Sequence, residues 1–568
     1  MQKQEGSYNA SLLFLSAQKE AFEMERRIAA FFGFLFSALF LCMLCVYSLT
    51  NGETLAETAQ RQSVYRLTVS QTRGKIYDCQ MLPFTGETNR WVAAVAPGVQ
   101  TAADLGRALE REEVNSLLPL LQAGKPFSLS LPNNVSGSGI LTFQVPDRYA
   151  GEQLAMHTIG YLDGSGHGAS GLELAFDDFL SAQSGEISVT YQVDALNHVL
   201  AGEKAEVSDT SSLGNAGIVL TLDKQIQRIA EEAASSSLQT GAVVVAEIPS
   251  CKIRAMVSLP TFDRDNLSES LEDPASPLLN RCLSAFSVGS VFKLVSAAAA
   301  LESGISPEYT YTCSGSTVVT GRAFRCYASE AHGEENMQKA IANSCNTYFI
   351  NLMKQVNASQ FLTMARRFGF GESLTLAPGL EADSGVLPEE TSLQIPQALA
   401  NFSFGQGDLT ATPLQIAAMV NTIASGGEYV PPQLVEGTVD SSYQWISRES
   451  GEEPVRILSP YTAALLQNFM LASVQEGTSE KYAPAYGRAG AKTATAQTGR
   501  FDENGLEKVH SWFAGFYPYD SPQYVIVVFS EEGTGGGPTC GPVFQSIANA
   551  LWEERLVTRN PENMGSTG

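Results

Sequence analysis

The sequence predicts an α/β (α+β) chain. An antiparallel sheet is sandwiched by helices, preceded by a β-rich domain and one N-terminal transmembrane helix. Three observations carry that reading. Residues 28–49 (IAAFFGFLFSALFLCMLCVYSL) are a run of 22 without a charge, enough at about 1.5 Å per residue to cross a ~30 Å hydrocarbon core. Residues 73–214 break into short segments punctuated by Gly, Pro, Asn and Ser, as strands and turns do. Beyond them, strand patterns are followed by a long helical middle, then by strands and a final helix.

The elements follow in chain order. Arg26 and Arg27 precede the apolar run, and no Lys or Arg follows it until Arg61. The positive-inside rule therefore places residues 1–27 in the cytoplasm as a tail and the remainder outside the cell membrane. The run is too long for the apolar region of a cleaved signal, which is about 7–15 residues. Residues 51–72 read as a polar helical or extended stalk. The β-rich domain spans 50–214, with 202–214 (GEKAEVSDTSSLG) as a polar connector. A second domain spans 215–558. In it, 221–237 has a helical period opened by an acidic residue. Residues 241–248 (GAVVVAEI) and 253–258 flank a Pro-Ser turn and read as a β-hairpin. Residues 510–516 and 524–530 form a second antiparallel pair, and 544–555 is a closing amphipathic helix. Residues 559–568 read as a frayed tail.

Composition excludes several functions. Asp+Glu 60 against Lys+Arg 36 leaves a formal charge of −24, unsuited to nucleic acid. The five His are scattered, with no two at ligand spacing, which argues against a metal site. Nine Cys in 568 residues are too few for a disulfide scaffold.

The same scarcity of His disfavours a Ser-His-Asp triad. Serine is activated otherwise by a Lys of lowered pKa. Ser290-Val291-Phe292-Lys293 offers this, because residues at i and i+3 of a helix share a face. Taken alone, this motif equally describes an exposed helical Lys. Ser344-Cys345-Asn346 taken alone describes a turn or helix N-cap, and Lys492-Thr493-Ala494-Thr495 a polar edge strand. Together, in the order S-x-x-K, S-x-N, K-T-(G/A), they are far more specific.

With these motifs the chain resembles the class B penicillin-binding proteins, membrane-anchored D,D-transpeptidases of bacterial peptidoglycan. Further segments carry the resemblance: Arg73-Gly74-Lys75-Ile76-Tyr77-Asp78 and Ser170-Gly171-Leu172-Glu173 in the non-catalytic pedestal, Thr221-Leu222-Asp223, Phe404-Gly405-Gln406-Gly407 with Thr412-Pro413-Leu414-Gln415, and His510-Ser511-Trp512-Phe513. The resemblance implies a pedestal at 50–214 and a penicillin-binding transpeptidase domain at 215–558. It implies Ser290 as nucleophile, Lys293 as base, Ser344 as proton relay, Lys492 as supporting cation, and Asn346 holding Lys293 and the substrate amide. Thr493 and Thr495 would bind the terminal carboxylate, and the backbone N–H groups of Ser290 and Thr495 would form the oxyanion hole. No cofactor or metal is implied. The implied ligands are peptidoglycan stem peptides and β-lactams, and the implied partner is a polytopic glycosyltransferase. A serine β-lactamase or β-lactam sensor of the same fold, and a catalytically weak cell-wall scaffold, are the alternatives.

One departure stands out. Ala494 occupies the third K-T-G position, where a β-carbon would press on the neighbouring helix or shift the Thr495 N–H. Cys313 and Cys326, across an apparent hairpin, fit either a disulfide or two free thiols.

Overall fold

The structure, a computed structural model, describes residues 5–557 apart from 150–152, 201, 265, 502–504 and 506. The tail expected at 559–568 lies outside the described residues. Helix α1, Glu5–Gln62, contains the whole apolar run. Among the described residues it is the one helix long and apolar enough to cross a membrane.

The chain forms two compact units. The first comprises 1–70, 90–144 and 187–209. It carries a sheet of Phe127–Leu131, Thr88–Val95 and Ile140–Asp147 in that order, over a small core that includes Ala93, Val95, Leu105 and Leu131. The segment expected to be a polar connector instead contains a strand, Glu206–Asp209, which pairs antiparallel with Glu186–Gln192. Its side chains stay exposed, so no apolar pattern marks it. The backbone ladder alone makes it a strand.

The second unit comprises 71–89, 145–186 and 210–568. Its centre is a five-stranded antiparallel sheet of β1 (Gly241–Glu247), β2 (Ile253–Leu259), β3 (Gly490–Phe501), β4 (Glu507–Tyr517) and β5 (Tyr524–Gly533), ordered β2-β1-β5-β4-β3. Both expected hairpins form, β1 with β2 and β4 with β5. The unbroken apolar run in β1 has a physical reason: both sheet faces are buried. Val244 and Ala246 join one core, and Val243 and Val245 the other.

On the second face lie α2 (Lys224–Ser235) and α7 (Gly541–Glu553). Asp223 caps α2, accepting from the N–H groups of Gln225 and Ile226 and so satisfying orphan donors at the helix start. Ile226, Ile229, Ala230, Ala233 and Ala234 are its buried stripe, which meets Phe544 and Ile547 of α7 at the helical period.

The opposite face holds α3 (Lys293–Glu302), α4 (Asn346–Met353), α5 (Pro413–Ala424) and α6 (Pro460–Glu476). Every residue of α3 from Lys293 to Ala300 is buried. Its four consecutive Ala permit close helix approach, which a helix buried all round needs. Just before α3, Phe292 packs on Phe361, Phe370 and Phe402 with ring centroids 5.9, 5.4 and 4.8 Å away. Burial of such a ring contributes about 1.5–3 kcal/mol and anchors the turn in front of the helix.

Candidate active site

Ser290 lies in a single 3-10 turn, Gly289–Phe292, which runs directly into α3. Residues three apart nearly eclipse in such a turn, so Ser290 and Lys293 share a face as the spacing predicts. Two glycines allow the turn to sit where it does. Gly289 has φ +68°, and a β-carbon on it would lie 3.0 Å from the carbonyl oxygen of Thr495 on β3. Gly405 has φ +83°, and its carbonyl accepts from the Gly289 N–H at 2.8 Å. The Phe404–Gly407 motif therefore shapes the nucleophile's turn. Trp512 ties the turn to β4, donating from Nε1 to the Ser287 carbonyl at 2.9 Å.

Lys293 is fully buried. Its Nζ lies 3.0 Å from Ser290 Oγ, 3.1 Å from Ser344 Oγ and 2.6 Å from Asn346 Oδ1, and donates to the Ser344 carbonyl at 2.6 Å. The loop before α4 brings these groups in. Ser344 has φ +55°, a left-handed conformation unusual for a non-glycine and costing on the order of 1–3 kcal/mol. Cys345 then caps α4, its Sγ accepting from the Tyr348 N–H. The Asn346 amide nitrogen donates to the Arg325 carbonyl at 2.9 Å, which turns its Oδ1 to Lys293.

Burial pushes the Lys293 pKa down to about 7, against a smaller upward effect of Cys345 and Cys326. Desolvation disfavours the charged amine. Lys492, also fully buried, is pushed well down by burial and by the nearby Lys293 charge. Its Nζ donates to the Thr493 carbonyl at 2.9 Å. Thr493 Oγ1 is 2.9 Å from Thr478 Oγ1, a neighbour the sequence did not single out. Thr495 Oγ1 accepts from the Gly536 N–H at 3.2 Å. Residues 492–495 lie on β3, the edge of the sheet, and an edge strand is the kind of element with which an extended ligand can pair.

His510 packs edge-on against Phe286 and Phe529 with ring centroids 5.4 and 5.5 Å away. Burial lowers its pKa, and it belongs to an aromatic core. Ala494 is 3% exposed and packs in the same core as Trp512. Its methyl thus fills protein interior.

Cys313 and Cys326 flank a hairpin, Ser316–Val319 with Arg322–Arg325, and of the two alternatives the structure shows free thiols, with sulfurs 3.7 Å apart. The fold gathers Cys313, Cys326, Cys345 and His332 with their donor atoms all within 4.8 Å of one another, and such a set could hold an ion. Counting Cys and His together over 313–345 nominates these four residues as a set, but not their convergence.

Residues 241–549 match the family model described as the penicillin binding protein transpeptidase domain. This chain belongs to the penicillin-binding protein transpeptidases. Peptidoglycan D,D-transpeptidase PbpA of Mycolicibacterium smegmatis is 32% identical over 360 residues, spanning 59% of this chain and 72% of that protein. A solved structure of a peptidoglycan synthase complex, on the coordination of polymerization and crosslinking, is 26% identical with a TM-score of 0.65, covering 93% of this chain and 98% of the other. Penicillin-binding protein A of M. tuberculosis, solved as a ceftriaxone acyl-enzyme complex, is 27% identical with a TM-score of 0.52, covering 59% and 80%. Relatives of these kinds place the chain among class B penicillin-binding proteins, with the antiparallel sheet between helices that the sequence predicts.

Proposed function

We propose that this chain, by family a membrane-anchored peptidoglycan D,D-transpeptidase, forms its acyl intermediate on Ser290 with Lys293 as the base. The observation that carries the reading is Lys293 itself: a fully buried amine, its pKa down to about 7, 3.0 Å from Ser290 Oγ. A neutral Lys takes the Oγ proton as Oγ attacks the carbonyl between the last two D-Ala residues of a stem peptide. The Oγ–C bond forms and the amide C–N bond breaks. Ser344, 3.1 Å from Lys293 Nζ, relays the proton to the departing D-Ala amine. An amine of a second stem peptide then attacks the ester, releasing Ser290 and forming the cross-link.

The other residues act on charge and position. Asn346 holds Lys293 and hydrogen-bonds the substrate amide. Thr493 and Thr495 receive the terminal carboxylate at the edge strand, with Lys492 as the supporting cation. The backbone N–H groups of Ser290 and Thr495 stabilise the oxyanion, each donor being worth about 3–4 kcal/mol in such sites. A β-lactam presents the same acyl group and leaves a slow ester on Ser290, a reading supported by the ceftriaxone acyl-enzyme of the M. tuberculosis relative.

Residues 1–27 are cytoplasmic and the chain beyond the apolar run is extracytoplasmic, since Arg26 and Arg27 precede that run. A polytopic glycosyltransferase supplies the glycan strands. The related synthase complex that coordinates polymerization and crosslinking supports such a partner.

Fluorescent penicillin tests this reading. Wild type labels once per chain and Ser290→Ala does not, and mass spectrometry finds the adduct on the Ser290 peptide. An adduct on any other residue sinks the mechanism. Rapid release of hydrolysed penicillin would instead make the protein a β-lactamase.

A further inference from the structure

We propose that a cavity in the second unit binds a phosphoryl group, with Lys75 as its cationic partner and side-chain hydroxyls around it as further donors. The cavity has a volume of about 380 Å³, within the ~300–1,000 Å³ of small-molecule sites. Its lining residues come from 71–86, 146–184 and 211–215, all within that unit. The chain as a whole has a formal charge of −24, yet the lining includes Arg73, Lys75, Arg148 and His167 and no Asp or Glu.

Lys75 is the cation left without a partner. Both guanidinium groups are engaged in the wall. Arg73 donates to Glu173, Asp177 and Ser181, and Arg148 donates to Glu173 and to the carbonyls of Arg73 and Gly74. Three cations therefore meet two carboxylates, and one positive charge remains. Among the described residues, no ion pair or hydrogen bond holds the Lys75 amine. Burial and the neighbouring Arg148 charge both press its pKa down, with no carboxylate opposing them. An uncompensated charge taken partly out of water costs free energy, and a bound anion removes that cost.

The free donors select the ligand. A carboxylate prefers the planar fork of an Arg, and both forks are occupied. What stays open is the point charge of Lys75, the hydroxyls of Ser165 and Ser184, and the amide of Asn215. These side chains have no hydrogen-bond partner among the described residues. Donors from three chain segments suit a tetrahedral group with several acceptor oxygens, and Lys serves phosphate as a point charge. Lys75 opens the strand Lys75–Tyr77, which pairs in parallel with Gly217–Leu220. A ligand shared by Lys75 and Asn215 would fasten the starts of both strands. The site does not depend on the function proposed above.

The test dialyses the full chain in detergent against radiolabelled inorganic phosphate, at fixed ionic strength in chloride buffer. Saturable binding of one phosphate per chain is expected. Lys75→Gln should weaken it by about tenfold to a hundredfold and Ser184→Ala by about tenfold, because hydrogen bonds to a charged group are the strong ones. Lys125→Gln, at an exposed lysine of the first unit, should leave it unchanged. Phosphate should raise the thermal unfolding midpoint of wild type by linkage and leave that of Lys75→Gln unmoved. Near-UV circular dichroism reports folding, and Ser184→Ala keeps the test decisive if Lys75→Gln misfolds. Glycerophosphoglycerol displacing the label at a lower concentration than unlabelled phosphate indicates a lipid-headgroup phosphodiester, the reverse indicates free phosphate, and either supports the site. Acetate displacing the label as well as phosphate does overturns the phosphoryl assignment. The proposal is also overturned if binding does not saturate, if folded Lys75→Gln or Ser184→Ala binds as wild type does, or if Lys125→Gln loses as much affinity as Lys75→Gln.

Discussion

Arg73 Nε lies 3.1 Å from Glu173 Oε2, although the two residues are a hundred positions apart. Glu173 is fully buried and also meets Arg148, with Oε1 2.7 Å from its Nη2. Arg73 reaches on to Asp177 at 2.7 Å. The Arg73–Asp78 and Ser170–Glu173 motifs of the sequence are thus two halves of one buried ion cluster. Glu173→Gln removes a carboxylate shared by two guanidinium groups and leaves Arg148 without its counter-charge. Breaking a buried pair in this way costs about 3–5 kcal/mol. Chemical denaturation followed by tryptophan fluorescence should show that loss, and a change under about 1 kcal/mol would mean solvent reaches the cluster freely.

Lys293→Ala should slow penicillin acylation by about 10²–10⁴, the usual contribution of a positioned base, without abolishing the fold. The substitution also deletes a buried amine whose desolvation opposes folding. Stopped-flow acylation measures the rate, and a loss of less than about tenfold would reassign the base.

Acylation should rise with pH through neutrality. With Lys293 at about 7, the neutral amine is about a tenth of the total at pH 6 and about nine-tenths at pH 8, so the rate climbs about tenfold. Stability follows the same sign. An unfolded Lys titrates near about 10.4, so between about 7 and 10 the unfolded chain binds the additional proton and stability rises with pH. Lys492, also pushed down, adds in the same direction. A pH–rate profile that is flat from 6 to 8 contradicts the assignment.

Ala494→Gly should not accelerate the enzyme. Because the methyl is buried in the core, its loss forfeits about 0.8 kcal/mol of burial, and a glycine within a strand costs about 0.5–1 kcal/mol more. A stability loss of about 1–2 kcal/mol with unchanged or slower acylation is expected. Faster acylation at equal stability would show that Ala494 crowds the cleft after all.

What the sequence determined by itself was local. Residues 28–49 announce a membrane helix because length and absence of charge suffice. The β1–β2 and β4–β5 hairpins follow from apolar runs of strand length joined by turn residues, and α2 from its cap at Asp223 and its apolar stripe. Ser290 and Lys293 could be paired because three residues of helix bring two side chains together. Motif order could nominate Ser344, Asn346 and Lys492, but not their distances. Those were decided by tertiary structure. The 2.6 Å approach of Asn346 to Lys293 spans a loop of about fifty residues, closed by the packing of α3, α4 and their aromatic neighbours rather than by any local preference. The same holds for Cys313, Cys326, His332 and Cys345. Their spacing follows no helical or strand period, so no pattern in the chain could show their convergence. Ala494 read as a departure within a cleft motif, and only the packing of β3 against Trp512 turned it into core. Backbone and side-chain preferences act over about four residues. Contacts beyond that range depend on which apolar faces bury one another, and that is settled only by the folded chain as a whole.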